Sequence, residues 1–218
     1  CACLVGSEMC IRDRYKAGDK LPTEKELCES TGAGRNTVRE ALKILASRNV
    51  LEIRQGAGTF VSEKQGIPDD PLGFSMVNDH VKLTKDLLQV RIMLEPQIAA
   101  LAAQCAKEHE IKELEEILEE MEAAMKKRED YSELDTKFHT KIAQCTHNIV
   151  MENLLPVIGK GVAVFAKEVA QTEYDRTWIS HRKIFCYIRD HKPFEAEMEM
   201  QYHLLYNTSR YEEEQSRL

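Results

Sequence analysis

The chain has 218 residues, 43% hydrophobic and 31% charged, with 30 Lys/Arg against 37 Asp/Glu and a net charge of −7. This length allows one or two domains with cores of their own, and the composition excludes a disordered tail protein. No apolar run approaches the ~18 residues of a membrane span, and ten Gly with six Pro leave little for a turn-rich all-β fold. The seven cysteines, at 1, 3, 10, 28, 105, 145 and 186, are odd in number and form no C-x-x-C. That argues against a disulfide framework or a cysteine zinc cluster and for a reducing cytoplasm. The charge is uneven: residues 12–64 carry 11 Lys/Arg against 8 Asp/Glu, and residues 65–218 carry 19 against 28. A basic first quarter on an acidic body suggests a polyanion-binding module at the N-terminal side.

Residues 1–14 lack an initiating Met, a long apolar stretch and a cleavage site, so they do not form a signal peptide and are expected to be a non-native segment outside the fold. From Tyr15 the pattern becomes regular. Thr23-x-x-Glu26 is a capping box opening a short helix to about Ser30, broken by Thr31-Gly-Ala-Gly34. A second helix is expected over about 35–48, with Val38, Leu42 and Leu45 on one stripe. Two β-prone runs, 50–53 and 59–61, flank Gln55-Gly-Ala-Gly58 and predict a hairpin. Helix, turn, helix, hairpin is the order of a winged helix-turn-helix, which is placed over 15–64, followed by a linker over 65–72 containing Gly66, Pro68 and Pro71.

Everything from 73 to 218 reads as an all-α antiparallel bundle. Apolar residues at 83, 87, 90, 94, 98, 101 and 105 predict a helix over 82–106, which Pro96 should kink or interrupt. A second stripe falls at 111, 114, 118, 121 and 125. Further helices are expected over about 131–146, 149–171 (bent near Pro156) and 175–190, and a last one opening at Pro193.

Arg35, Asn36, Thr37 and Arg39 cluster at the start of the second helix, where a recognition helix presents side chains to base edges in the major groove. Lys25 on the preceding helix and Gln55-Gly56 at the wing tip could touch the DNA backbone or minor groove. The bland alternative is a solvated helical face; the order of elements weighs against it. The segments Gly18-Asp-Lys-Leu-Pro-Thr-Glu-Lys-Glu-Leu27, Gly32-Ala-Gly-Arg-Asn-Thr-Val-Arg-Glu-Ala-Leu42 and Gly56-Ala-Gly-Thr-Phe-Val61 together resemble the DNA-binding domain of the GntR family of bacterial transcription regulators. The resemblance implies Lys25, Arg35, Thr37, Arg39 and Gly56 as operator contacts. Gly34 departs from the family pattern, which has Ser or Thr there, so a hydroxyl N-cap is missing. The family's first helix, which should precede Tyr15, is expected to be missing or replaced.

In the body, Asp135 and His139 are i and i+4 on one helical face. His181 and His203 each interrupt an apolar stripe, and a polar group there needs a partner. Both lie eleven positions from Lys192, on opposite sides of the turn, so in an antiparallel hairpin they stand at the same height, ~16 Å from it. One carboxylate and three imidazoles suit a divalent cation, Zn²⁺ first, with Ni²⁺, Mn²⁺ and Fe²⁺ open. The alternative is three separately hydrogen-bonded structural histidines. Asp135-x-x-x-His139, Asn148, His181-x-x-Ile184, Met200-x-x-His203 and Arg91-x-x-x-Glu95 are similar to the FCD ligand-binding domain of the FadR subfamily. The resemblance implies a divalent metal at Asp135, His139, His181 and His203 beside a cavity for a small carboxylate effector, with Arg91 and Asn148 contacting it. Arg91 lies between Leu87 and Leu94 on a core-facing edge, where its fork could clamp a carboxylate or pair with Glu95.

The expected protein is a cytoplasmic, homodimeric transcription regulator that binds palindromic double-stranded DNA and has no catalytic residues. The rival is a metal-dependent hydrolase or lyase using the Asp/His₃ set, disfavoured because no further inward Glu or His is evident as a general base.

Overall fold

The computed structural model describes residues 11, 13–62, 66–68, 70–165 and 174–216. The chain divides into two compact units, Cys1–Leu72 and Gly73–Leu218.

In the first unit, α1 (Glu24–Thr31) opens on the expected capping box. Thr23 Oγ1 accepts from the Glu26 amide at 3.4 Å, and Glu26 Oε2 accepts from the Thr23 amide at 2.8 Å. Gly32 closes the helix at φ 69°, a left-handed value suited to glycine. α2 (Arg35–Ser47) buries Val38, Leu42 and Leu45, and its N-cap, Gly34, makes no side-chain capping bond. β1 (Leu51–Arg54) and β2 (Gly58–Val61) pair antiparallel in the register Leu51↔Val61 to Arg54↔Gly58. Extended residues ahead of α1 add to this wing: the Leu21 amide donates to the Thr59 carbonyl and the Val61 amide to the Asp19 carbonyl, each at 2.8 Å. Leu21, Val38, Leu42, Leu45 and Leu51 form the core. Ile11 is half-buried against it, and its carbonyl accepts from the Tyr15 amide at 2.9 Å. Ile11, Asp13 and Arg14 are helical. Ile11, within the segment set apart in the sequence, thus packs on this core and covers apolar surface that would otherwise meet water.

The second unit is all-helical among its described residues. A 3₁₀ turn (Phe74–Met76) precedes α3 (His80–Cys105), α4 (Glu108–Lys127), α5 (Ser132–Gln144), α6 (Ile149–Phe165), α7 (Tyr174–Arg189) and α8 (Pro193–Gln215). The expected end of α6 near 171 lies outside the described residues. α3 is not interrupted at Pro96. The missing amide costs one backbone bond, while burial of Leu83, Leu87, Leu88, Ile98 and five alanines or prolines along the same rod holds the helix through it. α3 packs along α8 and touches α5, α6 and α7; α4 packs on α5 and α7; α7 and α8 form a hairpin. The core centres on Leu114, Leu118, Met121, Phe138, Ile184, Phe185 and Met200. Two histidines brace it from outside: His191, in the α7–α8 turn, donates from Nδ1 to the Ala103 carbonyl at 2.8 Å, and His147 Nε2 lies 3.0 Å from both carboxylate oxygens of Glu110.

Candidate DNA-reading helix and metal centre

The first turns of α2 expose Arg35, Asn36, Thr37 and Arg39. Arg39 is not idle: its guanidinium holds Glu24 of α1, Nη2 to Oε2 at 3.0 Å and Nε to Oε1 at 3.3 Å. This pairing lowers the Glu24 pKa chiefly through the hydrogen bond. Lys25 is exposed, 3.9 Å from Glu29. Gln55 and Gly56 are exposed in the hairpin turn, with Gly56 at φ 75°. Two further cations line the wing. The Arg54 guanidinium lies 4.5 Å, and the Lys20 ammonium 5.8 Å, from the centre of the Phe60 ring. A Cβ at Gly58 would come within 2.8 Å of Lys20 Cε, so glycine there admits the lysine stem. Lys20 did not stand out in the sequence, because its bridge to Phe60 joins segments forty residues apart.

In the second unit α5, α7 and α8 bring Asp135, His139, His181 and His203 together: each offers a ligand atom, and these atoms all lie within 4.8 Å of one another. His181 Nε2 faces His203 Nε2 at 3.1 Å and Asp135 Oδ1 at 3.4 Å; His139 Nε2 is 3.9 Å from Asp135 Oδ2. The three imidazoles are buried and Asp135 is half-buried. Burial, above all, pushes the His181 pKa down to about 3, against the pull of Asp135, and drives that of His203 well below the usual imidazole range, with His181, His139 and Arg91 adding to the effect. Both rings are therefore neutral and carry a lone pair.

The surroundings support a cation at this point. His139 Nε2 is buried with no hydrogen-bond partner among the described residues. The facing nitrogens of His181 and His203 can share one proton at most. Three imidazole nitrogens and one carboxylate converging without enough hydrogens between them form a donor set that a divalent ion completes.

Around this set lie further groups, of which Met121 and Asn207 did not stand out in the sequence. Met121 Sδ is 3.3 Å from His181 Nδ1, and Asn207 Nδ2 is 3.3 Å from His203 Nε2. Glu95 is 2% exposed. Its Oε2 stands 2.5 Å from His139 Nδ1, though the ring is not turned for a straight hydrogen bond. Its Oε1 accepts from Arg91 Nε, and its Oε2 lies 3.4 Å from Arg91 Nη2. Desolvation would raise the Glu95 pKa, but Arg91, then His139, outweigh it and hold the carboxyl ionised. The expectation that no further inward carboxylate borders the site is thus corrected. Arg91, buried at 6% exposure, pairs with Glu95. Asn148 is exposed, and its Oδ1 caps α6 by accepting from the Val150 amide at 3.0 Å and the Met151 amide at 3.4 Å; these are the bonds of a helix start, not of the histidine cluster.

A winged helix with exposed cations on its second helix, joined in sequence to a helical unit with an interior Asp/His₃ set, defines a DNA-binding protein with a helical C-terminal domain. Residues 7–61 match the gntR family of bacterial regulatory proteins and residues 86–206 match the FCD domain. The chain belongs to the GntR family of transcription regulators, in its FadR-like subfamily with an FCD domain. It is 33% identical over 202 residues to the Uxu operon regulator of Haemophilus influenzae, covering 87% of this chain and 73% of that protein. It is 29% identical over 173 residues to the galactonate operon transcriptional repressor of Escherichia coli, covering 78% and 72%. The solved structure of Streptococcus agalactiae GntR superposes with a TM-score of 0.81 at 36% identity, covering 94% of this chain and 97% of that one. These domains and relatives are transcription regulators, not enzymes. No helix of the described residues is long and apolar enough to cross a membrane.

Proposed function

We propose that the protein is a homodimeric, metal-dependent regulator whose hold on a palindromic operator is set by a small organic or sugar acid. The observation that carries this reading is the convergence of the Asp135, His139, His181 and His203 ligand atoms within 4.8 Å. Residues 73–218 would sense, residues 15–64 would read DNA, and residues 65–72 would link them. Zn²⁺ suits the three imidazoles and single carboxylate best, and Ni²⁺, Mn²⁺ and Fe²⁺ are compatible. Bound there by Asp135, His139, His181 and His203, the ion would supply a Lewis acid for carboxylate and hydroxyl oxygens. The name of the galactonate operon repressor favours a sugar acid among the effectors. Arg91 would receive the effector's carboxylate, sharing its fork with Glu95, and Asn148 would be the second contact.

On the DNA side, Arg35, Asn36, Thr37 and Arg39 would meet the major groove, with Lys25, Gln55 and Gly56 on the backbone or minor groove. Arg39 would exchange Glu24 for DNA. Two winged helices related by a two-fold axis match two half-sites, which is the reason to expect a dimer. Effector binding would shift the population between arrangements of the two DNA-reading heads, and the cytoplasm is where the operator lies.

Thermal unfolding of the protein with sugar acids and hydroxy acids, each with and without chelator, tests the reading. The expected result is a rise in midpoint that one acid produces only when metal is present, and that alters mobility shift of an operator fragment. Absence of any metal-dependent rise across such acids refutes it.

A further inference from the structure

The buried pair of Arg91 and Glu95 sits one residue beyond the four candidate ligands, and its carboxylate reaches one of them. Glu95 Oε2 is 2.5 Å from His139 Nδ1. The ring as placed is not turned for a straight hydrogen bond, but a carboxylate oxygen and an imidazole nitrogen this close in a buried site repel unless a proton stands between them, and a small rotation of the ring would put that proton on Nδ1. In the neutral ring this leaves Nε2 as the bare nitrogen. That atom is the one aimed at Asp135 Oδ2, 3.9 Å away, and it has no hydrogen-bond partner among the described residues. A buried carboxylate needs its charge balanced, and Arg91 provides this through Nε to Oε1 and Nη2 to Oε2, with both residues on α3 one turn apart. Metal-ligating histidines are commonly oriented through their second nitrogen in this way.

We infer that Glu95 is a positioning residue for His139: it receives the Nδ1 proton, selects the tautomer whose Nε2 can ligate a cation, and depends on Arg91 to stay in place. The role rests on the metal reading above for its purpose but not for its geometry. It also gives Arg91 two claimants. A carboxylate drawing Arg91 away would loosen the group that orients His139, so the same guanidinium links an acid effector to the metal ligand.

The test uses the full chain with ¹⁵N-labelled imidazoles, metal-free at pH 8, and then Zn²⁺ affinity by competition with a chromophoric chelator. In the unmodified protein His139 is expected to carry its proton on Nδ1. In Glu95→Gln, whose amide can donate as well as accept, the ring should populate both tautomers, and Zn²⁺ should bind ~10- to 100-fold more weakly. Glu95→Asp should recover part of the affinity. A His139 ring protonated on Nε2 in the unmodified protein overturns the proposal, whether or not the variant folds; so does a variant that leaves both tautomer and affinity unchanged. If the unmodified protein takes up no Zn²⁺ yet shows the Nδ1 tautomer that Glu95→Gln scrambles, the metal reading fails and the positioning role stands.

Discussion

The two units place the same kinds of side chain on opposite sides of their surfaces. In residues 1–72 the cations Lys20, Lys25, Arg35, Arg39 and Arg54 are all exposed over a small core of five buried leucines and valines. In residues 73–218 an arginine, a glutamate and three histidines are buried in the helical interior, at 0 to 6% exposure. Exposed cations are screened and exchangeable, and they suit a polyanion that must be found and released. The buried groups are shielded from solvent and suit a small ligand whose arrival must change something inside. The difference teaches where to look in each half: at charge density on the first unit and at hydrogen-bond accounting in the second.

The contrast can be broken at its strongest point by removing the buried donors. Replacing His181 and His203 together by Ala should take the metal content of the purified protein to near zero by elemental analysis, while operator binding by the first unit persists; full metal content would remove these residues from the site. Next in size, Phe138→Ala should destabilise the second unit by ~3–5 kcal/mol in chemical denaturation, because that ring is fully buried and packs on His181 at 4.7 Å between centroids. A loss below ~1 kcal/mol would mean the cluster is not seated on a packed floor.

The metal-free second unit should also weaken in acid. His181 and His203 have folded pKa values depressed below the ordinary imidazole value of 6.5. Their unfolded forms therefore bind protons first, and stability is full above 6.5 and falls as the pH drops from there toward about 3. Each histidine contributes up to ~1.4 kcal/mol per pH unit across that window. Denaturation at pH 7.5 and 5.5 measures it, and a flat profile would show that the rings are not held neutral.

The exposed side is sharpened by Arg35→Ala, expected to cost ~1–3 kcal/mol of operator discrimination and to relax one base preference in competition mobility shifts; unchanged sequence choice would take Arg35 off the bases. Raising salt should weaken DNA binding in proportion to phosphates contacted and leave metal stoichiometry unmoved. The smallest effect is a gain. Gly34→Ser, supplying the hydroxyl that α2 lacks at its N-cap, should stabilise the first unit by a few tenths of a kcal/mol, read as a small rise in its melting midpoint.

Much of this was legible in the sequence, for reasons that are local. The Thr23/Glu26 capping box, the Val38–Leu42–Leu45 stripe and Pro193 at the first turn of α8 each report on residues within four positions, where backbone geometry leaves few choices. The matching heights of His181 and His203 about Lys192 needed only a short turn and a constant rise per residue, and the two rings do face each other at 3.1 Å.

What failed was decided between elements. Pro96 marked a kink or an interruption by its own chemistry, and the interruption does not occur, since side-chain burial along the rod outweighs one missing amide. Glu95 stood in the sequence only as an i,i+4 partner for Arg91, and only the packing of α3 against α5 brings its carboxylate beside His139. Lys20 and Phe60 become neighbours only when the extended segment before α1 pairs with β2. The sequence alone determined which helices and turns form, because propensity and periodicity act over a few residues. Tertiary structure alone decided which charges are buried and what they touch, because burial depends on the surface another element presents.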